Sequence, residues 1–114
     1  MSRTLEAVLL IAVAACGPAA PFHLAVEHGR VSRLRLVGAP GARINARLKP
    51  ALELEDGTVL RFDSPHLTPD SAYFFDAPTV DAPLGDTPHT GIVRASVCSA
   101  GEQLCRTFAV AVRF

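Results

Sequence analysis

The sequence predicts an all-β protein: one small antiparallel sandwich of about seven strands behind a short apolar leader. Three observations carry this expectation. Beyond residue 21 no window sustains a 3.6-residue apolar repeat, whereas apolar and polar side chains alternate with period two, as they do on strands with one buried face. Turn signals built on Gly, Pro and Asp recur every 8–12 residues, the spacing of short strands in a sandwich. The chain has 114 residues, 49% hydrophobic and 19% charged, enough for one core and too few for two domains of about 100 residues each. Its 11 Lys+Arg balance its 11 Asp+Glu. Nucleic-acid binding needs a basic excess to displace counterions from phosphates, so no nucleic acid is expected as a partner.

The first element is a leader. Residues 7–15 form an unbroken apolar run after a polar start containing Arg3. This run is far shorter than the roughly 20 residues that span a bilayer and has the length of a signal-peptide core. It ends in Val13-Ala14-Ala15-Cys16, which resembles the lipobox of bacterial lipoproteins. The resemblance implies that residues 1–15 are a cleaved lipoprotein signal peptide, that Cys16 is lipidated, and that residues 16–21 tether a β-domain covering residues 22–114. It also implies a cell-envelope address: lipid-anchored, facing the periplasm, at the outer membrane in preference to the inner. Several acyl chains, each methylene contributing about 0.8 kcal/mol, hold such a protein at a membrane without a spanning helix.

The strands then follow in order. Residues 22–27 place Phe22, Leu24 and Val26 on one face, and His28-Gly29 turns the chain. Residues 31–37 alternate Leu34 and Leu36 inward with Arg33 and Arg35 outward; residues 43–48 alternate Ile44, Ala46 and Leu48 with Arg43, Asn45 and Arg47. Joined by Gly38-Ala39-Pro40-Gly41-Ala42, these two runs read as a hairpin with Leu36 facing Ile44. That register sets Arg33 opposite Arg47, a like-charge pair that needs an acid nearby. The next hairpin turns at Glu55-Asp56-Gly57. A three-residue loop with Gly57 left-handed pairs Leu52 with Leu60 and keeps Leu52, Leu54, Leu60 and Phe62 on one face, which a two-residue turn does not.

Between residues 63 and 89 Pro65, Pro69, Pro78, Pro83 and Pro88 interrupt nearly every run, because proline cannot donate to a strand ladder. Only residues 72–76 and 79–81 read as extended. This stretch carries Tyr73, Phe74 and Phe75, read either as core packing or as a covering loop.

The last hairpin carries the chemistry. In residues 91–98 Val93, Ala95 and Val97 share a face, and in residues 105–114 Phe108, Val110, Val112 and Phe114 do. Pairing Val93 with Val110 and Ala95 with Phe108 sets Cys98 directly across from Cys105, on the face away from the apolar stripe. Opposed strand residues have β-carbons about 4.5–5.5 Å apart, close to disulfide reach, and an exported chain meets an oxidising compartment. Such a bond serves either as a staple or, where another thiolate reaches it, as an exchange centre.

The run Gly91-Ile92-Val93-Arg94-Ala95-Ser96-Val97-Cys98, six residues, Cys105 and a final apolar strand resembles the end of the N-terminal periplasmic domain of the thiol:disulfide interchange protein DsbD. Upstream, Ile44-Asn45 followed by Pro50 is similar to single-domain relatives of that group. The resemblance implies an immunoglobulin-like sandwich in which Cys98 and Cys105 cycle between dithiol and disulfide. It implies a periplasmic thiol-disulfide protein as partner and no cofactor. That family shields its disulfide with an aromatic loop that has no clear match in this sequence, and Tyr73, Phe74 and Phe75 are the candidates for such a covering loop. Both readings stay open: an exchange protein, or a non-enzymatic envelope module in which the disulfide is structural.

Little else points to chemistry. His23, His28, His66 and His89 have no partners at ligand spacing, so no metal is expected. No Gly-x-Ser-x-Gly run, phosphate-cradling glycine loop or paired-carboxylate site occurs.

Overall fold

The computed structural model of the chain describes residues 20–99 and 104–114. The expected signal segment, residues 1–15, and Cys16 lie outside the described residues. Among the described residues eight strands follow one another: β1 (Phe22–Glu27), β2 (Ser32–Gly38), β3 (Ala42–Ile44), β4 (Ala51–Leu54), β5 (Val59–Arg61), β6 (Thr79–Ala82), β7 (Thr90–Ser99) and β8 (Cys105–Arg113). No helix occurs among the described residues. The strands form two antiparallel sheets. One has the order β1-β2-β6; in the other β7 pairs with β8 on one edge and with β3 and β4 on the opposite edge, and β5 follows β4. The all-β sandwich expected from the alternation is the fold of this domain.

The alternating residues fill the space between the sheets. Leu34 and Leu36 from the first sheet and Leu52 and Val93 from the second are wholly buried, together with Phe62. Each such side chain stabilises the fold by about 1.5–3 kcal/mol through removal of apolar surface from water. Phe22 of β1 meets Phe108 of β8 edge-to-face, with ring centroids 6.3 Å apart, so these strands face each other across the core. On the other side Asp63 and Thr79 exchange both backbone hydrogen bonds, at 3.0 and 2.8 Å, and tie the end of β5 to the start of β6.

Two hairpins form as the sequence predicts. Leu52 pairs with Leu60 around a three-residue loop whose Gly57 has φ +90°, the left-handed conformation that glycine adopts without steric cost. In the last hairpin Val93 pairs with Val110, Ala95 with Phe108 and Cys98 with Cys105.

The β2–β3 hairpin does not form. β2 pairs with β1 and β6, while β3 pairs with β7 in the other sheet. The connection after Gly38 therefore crosses between sheets. Leu36 and Ile44 still both reach the core, but from opposite layers. Arg33 lies opposite Asp81, not Arg47, and its Nε donates to Asp81 Oδ1 at 2.9 Å. The like-charge pairing is thus replaced by an ion pair. The run expected to extend to Leu48 ends at Ile44. Asn45 Oδ1 accepts from the backbone N–H of Arg47 at 2.7 Å and of Leu48 at 3.0 Å, a local turn that competes with the ladder.

Candidate functional site

The long strand β7 positions the site. Its N-terminal half pairs with β4 and its C-terminal half with β3, so β8 lies along its full opposite edge. At the far end of this ribbon Cys98 and Cys105 form a disulfide, with Cα atoms 4.0 Å apart. Ser99 N–H donates to Leu104 C=O at 3.3 Å. The hydrogen-bonded position is therefore the neighbouring one, and the cysteines occupy the closer, non-hydrogen-bonded kind of pair. The cross-strand placement read from residue parity is the one observed.

The two halves of the bond differ in surroundings. Cys98 is wholly buried, whereas Cys105, on the sheet edge, is exposed. Sequence alternation places both on the outer face and does not separate them. The difference arises because β7 is flanked on both sides while β8 is flanked on one. The turn bearing Leu48 and Lys49 shares a shallow depression with Ser96 and Thr107 on the same outer face, and Ser96 is itself buried.

Arg43 is the lateral neighbour of Cys98 on β3, so across the outer face the order runs Arg43, Cys98, Cys105. The sequence does not disclose this neighbour, since the β2–β3 hairpin assigns β3 to another partner. Beyond β3, Tyr73 bridges to Asn45, with Ala46 N–H donating to Ala72 C=O at 2.8 Å and Phe74 N–H to Ile44 C=O at 3.0 Å. This short stretch extends the same sheet past β3. The Arg43 guanidinium lies 4.3 Å from the centre of the Tyr73 ring, within cation–π range. Phe74 points into the core, and Phe75 is 78% exposed. Of the three aromatics singled out in the sequence, Tyr73 is thus one residue removed from Cys98, through Arg43.

The loop bearing these aromatics is held by side-chain hydrogen bonds. Asp70 Oδ1 accepts from Thr68 Oγ1 at 2.7 Å and from Ala72 N–H at 3.1 Å. Asp76 accepts from Ser64 Oγ at 2.6 Å and lies 2.8 Å from His66 Nδ1. The Thr68 hydroxyl holds Asp70 below the usual carboxylate range, and the Ser64 hydroxyl, followed by His66, does the same for Asp76. Ser64 bonds the aspartate and not the imidazole, so this trio lacks the nucleophile-to-base contact of hydrolases. Among the described residues no three His, Cys, Asp or Glu side chains gather as metal ligands would.

Fold and site together define a class: a small antiparallel β-sandwich whose last hairpin is closed by a disulfide with one buried and one exposed cysteine. In comparisons with protein-family models, curated proteins and solved structures, nothing matches the chain.

Proposed function

We propose that this chain is a lipid-anchored envelope protein, held through Cys16, in which the Cys98–Cys105 disulfide exchanges with the thiols of a periplasmic thiol-disulfide protein. The observation that carries the exchange reading is the asymmetry of the bond, with Cys105 exposed on a sheet edge and Cys98 buried beside Arg43. Exchange requires an attacking thiolate to reach one sulfur and the other to leave as a thiolate. Attack by a partner thiolate on Cys105 Sγ forms a mixed disulfide and breaks the Cys98–Cys105 bond, expelling Cys98 as thiolate. Burial disfavours Cys98 as a leaving thiolate, and the guanidinium of its register neighbour Arg43 lies over Tyr73, so the choice of Cys105 as the attacked sulfur rests on access. A second thiolate on the partner then attacks the mixed disulfide and releases Cys105. Two electrons pass from the partner dithiol to this chain, and the partner is left oxidised.

The test is single-cysteine trapping. In Cys98→Ala the Cys105 thiolate remains and should attack the disulfide of the oxidised envelope partner, the reverse of the last step, so that a mixed disulfide accumulates and one partner thiolate is released. In Cys105→Ala the buried Cys98 should not. Equal trapping by both variants, or by neither, overturns attack at Cys105.

A second reading has its own observation. No residue of β8 is fully buried, and its inward side chains are only half-buried. A strand so thinly packed benefits from a staple at its end. Closing a loop of this length stabilises by about 2.5 kcal/mol on the chain-entropy argument, and on this reading the domain is a non-enzymatic binding or scaffold module.

A further inference from the structure

The tether reaches the domain at one identifiable corner. Ala39 N–H donates to Pro21 C=O at 2.8 Å and Phe22 pairs with Gly38, so the chain arrives beside the connection between β2 and β3. Four residues separate Cys16 from Pro21. Even fully extended, they hold the two Cα atoms within about 18 Å of each other. If Cys16 is acylated, this corner stays next to the bilayer however the rest of the domain turns.

The corner has a surface suited to lipid. Gly38-Ala39-Pro40-Gly41-Ala42 carries no charge. Gly38 and Ala42 line a depression of about 240 Å³ together with Phe75, whose 78% exposure exceeds that of every other large apolar side chain among the described residues. An apolar ring this uncovered is costly in water and favourable at a headgroup boundary. Arg43 and Tyr73, the latter two residues before Phe75, stand together, both with apolar bodies and polar tips. Among the described residues lining this depression the acid is Asp76, and it is engaged by Ser64 and His66.

We propose that Phe75 and the uncharged apex at residues 38–42 form a membrane contact. The Phe75 ring enters the headgroup region of the bilayer that holds Cys16, and Arg43 faces anionic headgroups. This rests on the lipoprotein reading above. It fixes an orientation: β7 ends with Ser99 opposite Ala42, so the Cys98–Cys105 bond lies at the membrane-facing end, where a thiol partner approaches along the bilayer surface.

The chain contains no Trp, so Phe75→Trp introduces a single fluorescent reporter. The full chain with its leader is produced in a bacterial host, purified from membranes and weighed by mass spectrometry for acylation of Cys16. It is then reconstituted into phosphatidylethanolamine–phosphatidylglycerol vesicles containing lipid brominated on the acyl chains. The expected result is a blue-shifted emission at least halved by the brominated lipid. Val31→Trp is the control: Val31 is 55% exposed and lies beyond the opposite end of β2, about 23 Å away at 3.3 Å per residue, and its reporter should be unquenched. An acylated Phe75→Trp chain whose indole is unquenched, or two reporters quenched alike, overturns the membrane contact and leaves the anchor standing. An unmodified Cys16 overturns the lipoprotein reading and the contact with it.

Discussion

Replacing either cysteine by serine separates the loss of the bond from the burial of its two ends. Cys98→Ser and Cys105→Ser each remove the disulfide and with it about 2.5 kcal/mol of loop-closure stabilisation. Their further costs differ. Cys98 is wholly buried, and a serine hydroxyl placed there without a partner costs a further 1–3 kcal/mol or so. Cys105 is exposed, so water satisfies the new hydroxyl. Cys98→Ser is therefore expected to be less stable than Cys105→Ser by roughly 1–3 kcal/mol. At a urea slope of about 1–2 kcal/mol/M, that difference moves the midpoint by approximately 1 M. The assay is urea unfolding followed by circular dichroism, with both variants in the same reducing buffer. Cys98→Ala, which buries no hydroxyl, should recover most of the difference. Equal midpoints, or a less stable Cys105→Ser, would refute the asymmetry on which the proposed exchange rests.

Three further outcomes test the fold around the site. A β-carbon at Gly91 would lie 2.6 Å from Glu53 O and 2.9 Å from Leu52 Cδ1, so Gly91→Ala should force the β4–β7 ladder apart and destabilise by about 1–3 kcal/mol, read from its urea midpoint. Arg33→Ala removes an ion pair that is solvent-exposed on both sides, so its thermal midpoint should barely move, and less still in high salt. Asp63 and Asp81 are held below the ordinary aspartate range by hydrogen bonds from Lys49 and Arg33 respectively, as are Asp70 and Asp76 by Thr68 and Ser64. The unfolded chain takes up these protons first. Stability from these carboxylates is therefore present above about pH 4, the ordinary aspartate value, and lost as the pH falls through their lower folded values. Acid titration of the midpoint should show that decline, and a midpoint that rises on acidification over this range would contradict it.

The parts of the fold legible in the sequence are those set by local geometry. Parity along β7 and β8 sets Cys98 opposite Cys105, and the length of the Glu55-Asp56-Gly57 loop sets Leu52 opposite Leu60. In both cases the partner strand is the next one along the chain. Alternation assigns a face and not a partner, which is why β2 and β3 read as a hairpin that does not form: Leu36 and Ile44 are satisfied equally by lying side by side or across the core. The unfavourable Arg33–Arg47 pairing is the sign in the sequence that this register is wrong, and Asp81, 48 residues away, is the partner that resolves it. Asn45 is a second sign, since its side chain caps a turn as readily as it continues a strand. The neighbour relation between Arg43 and Cys98, and the burial of one cysteine alone, depend on long-range pairing that no local period encodes.

The reduction potential of the Cys98–Cys105 pair, measured against a defined thiol-disulfide buffer, decides between an exchange centre and a staple. A disulfide that exchanges with envelope partners should equilibrate between about −120 and −270 mV, the range of thiol-disulfide oxidoreductases. A value below about −300 mV, typical of structural disulfides, would contradict exchange and leave the bond as a staple on β8.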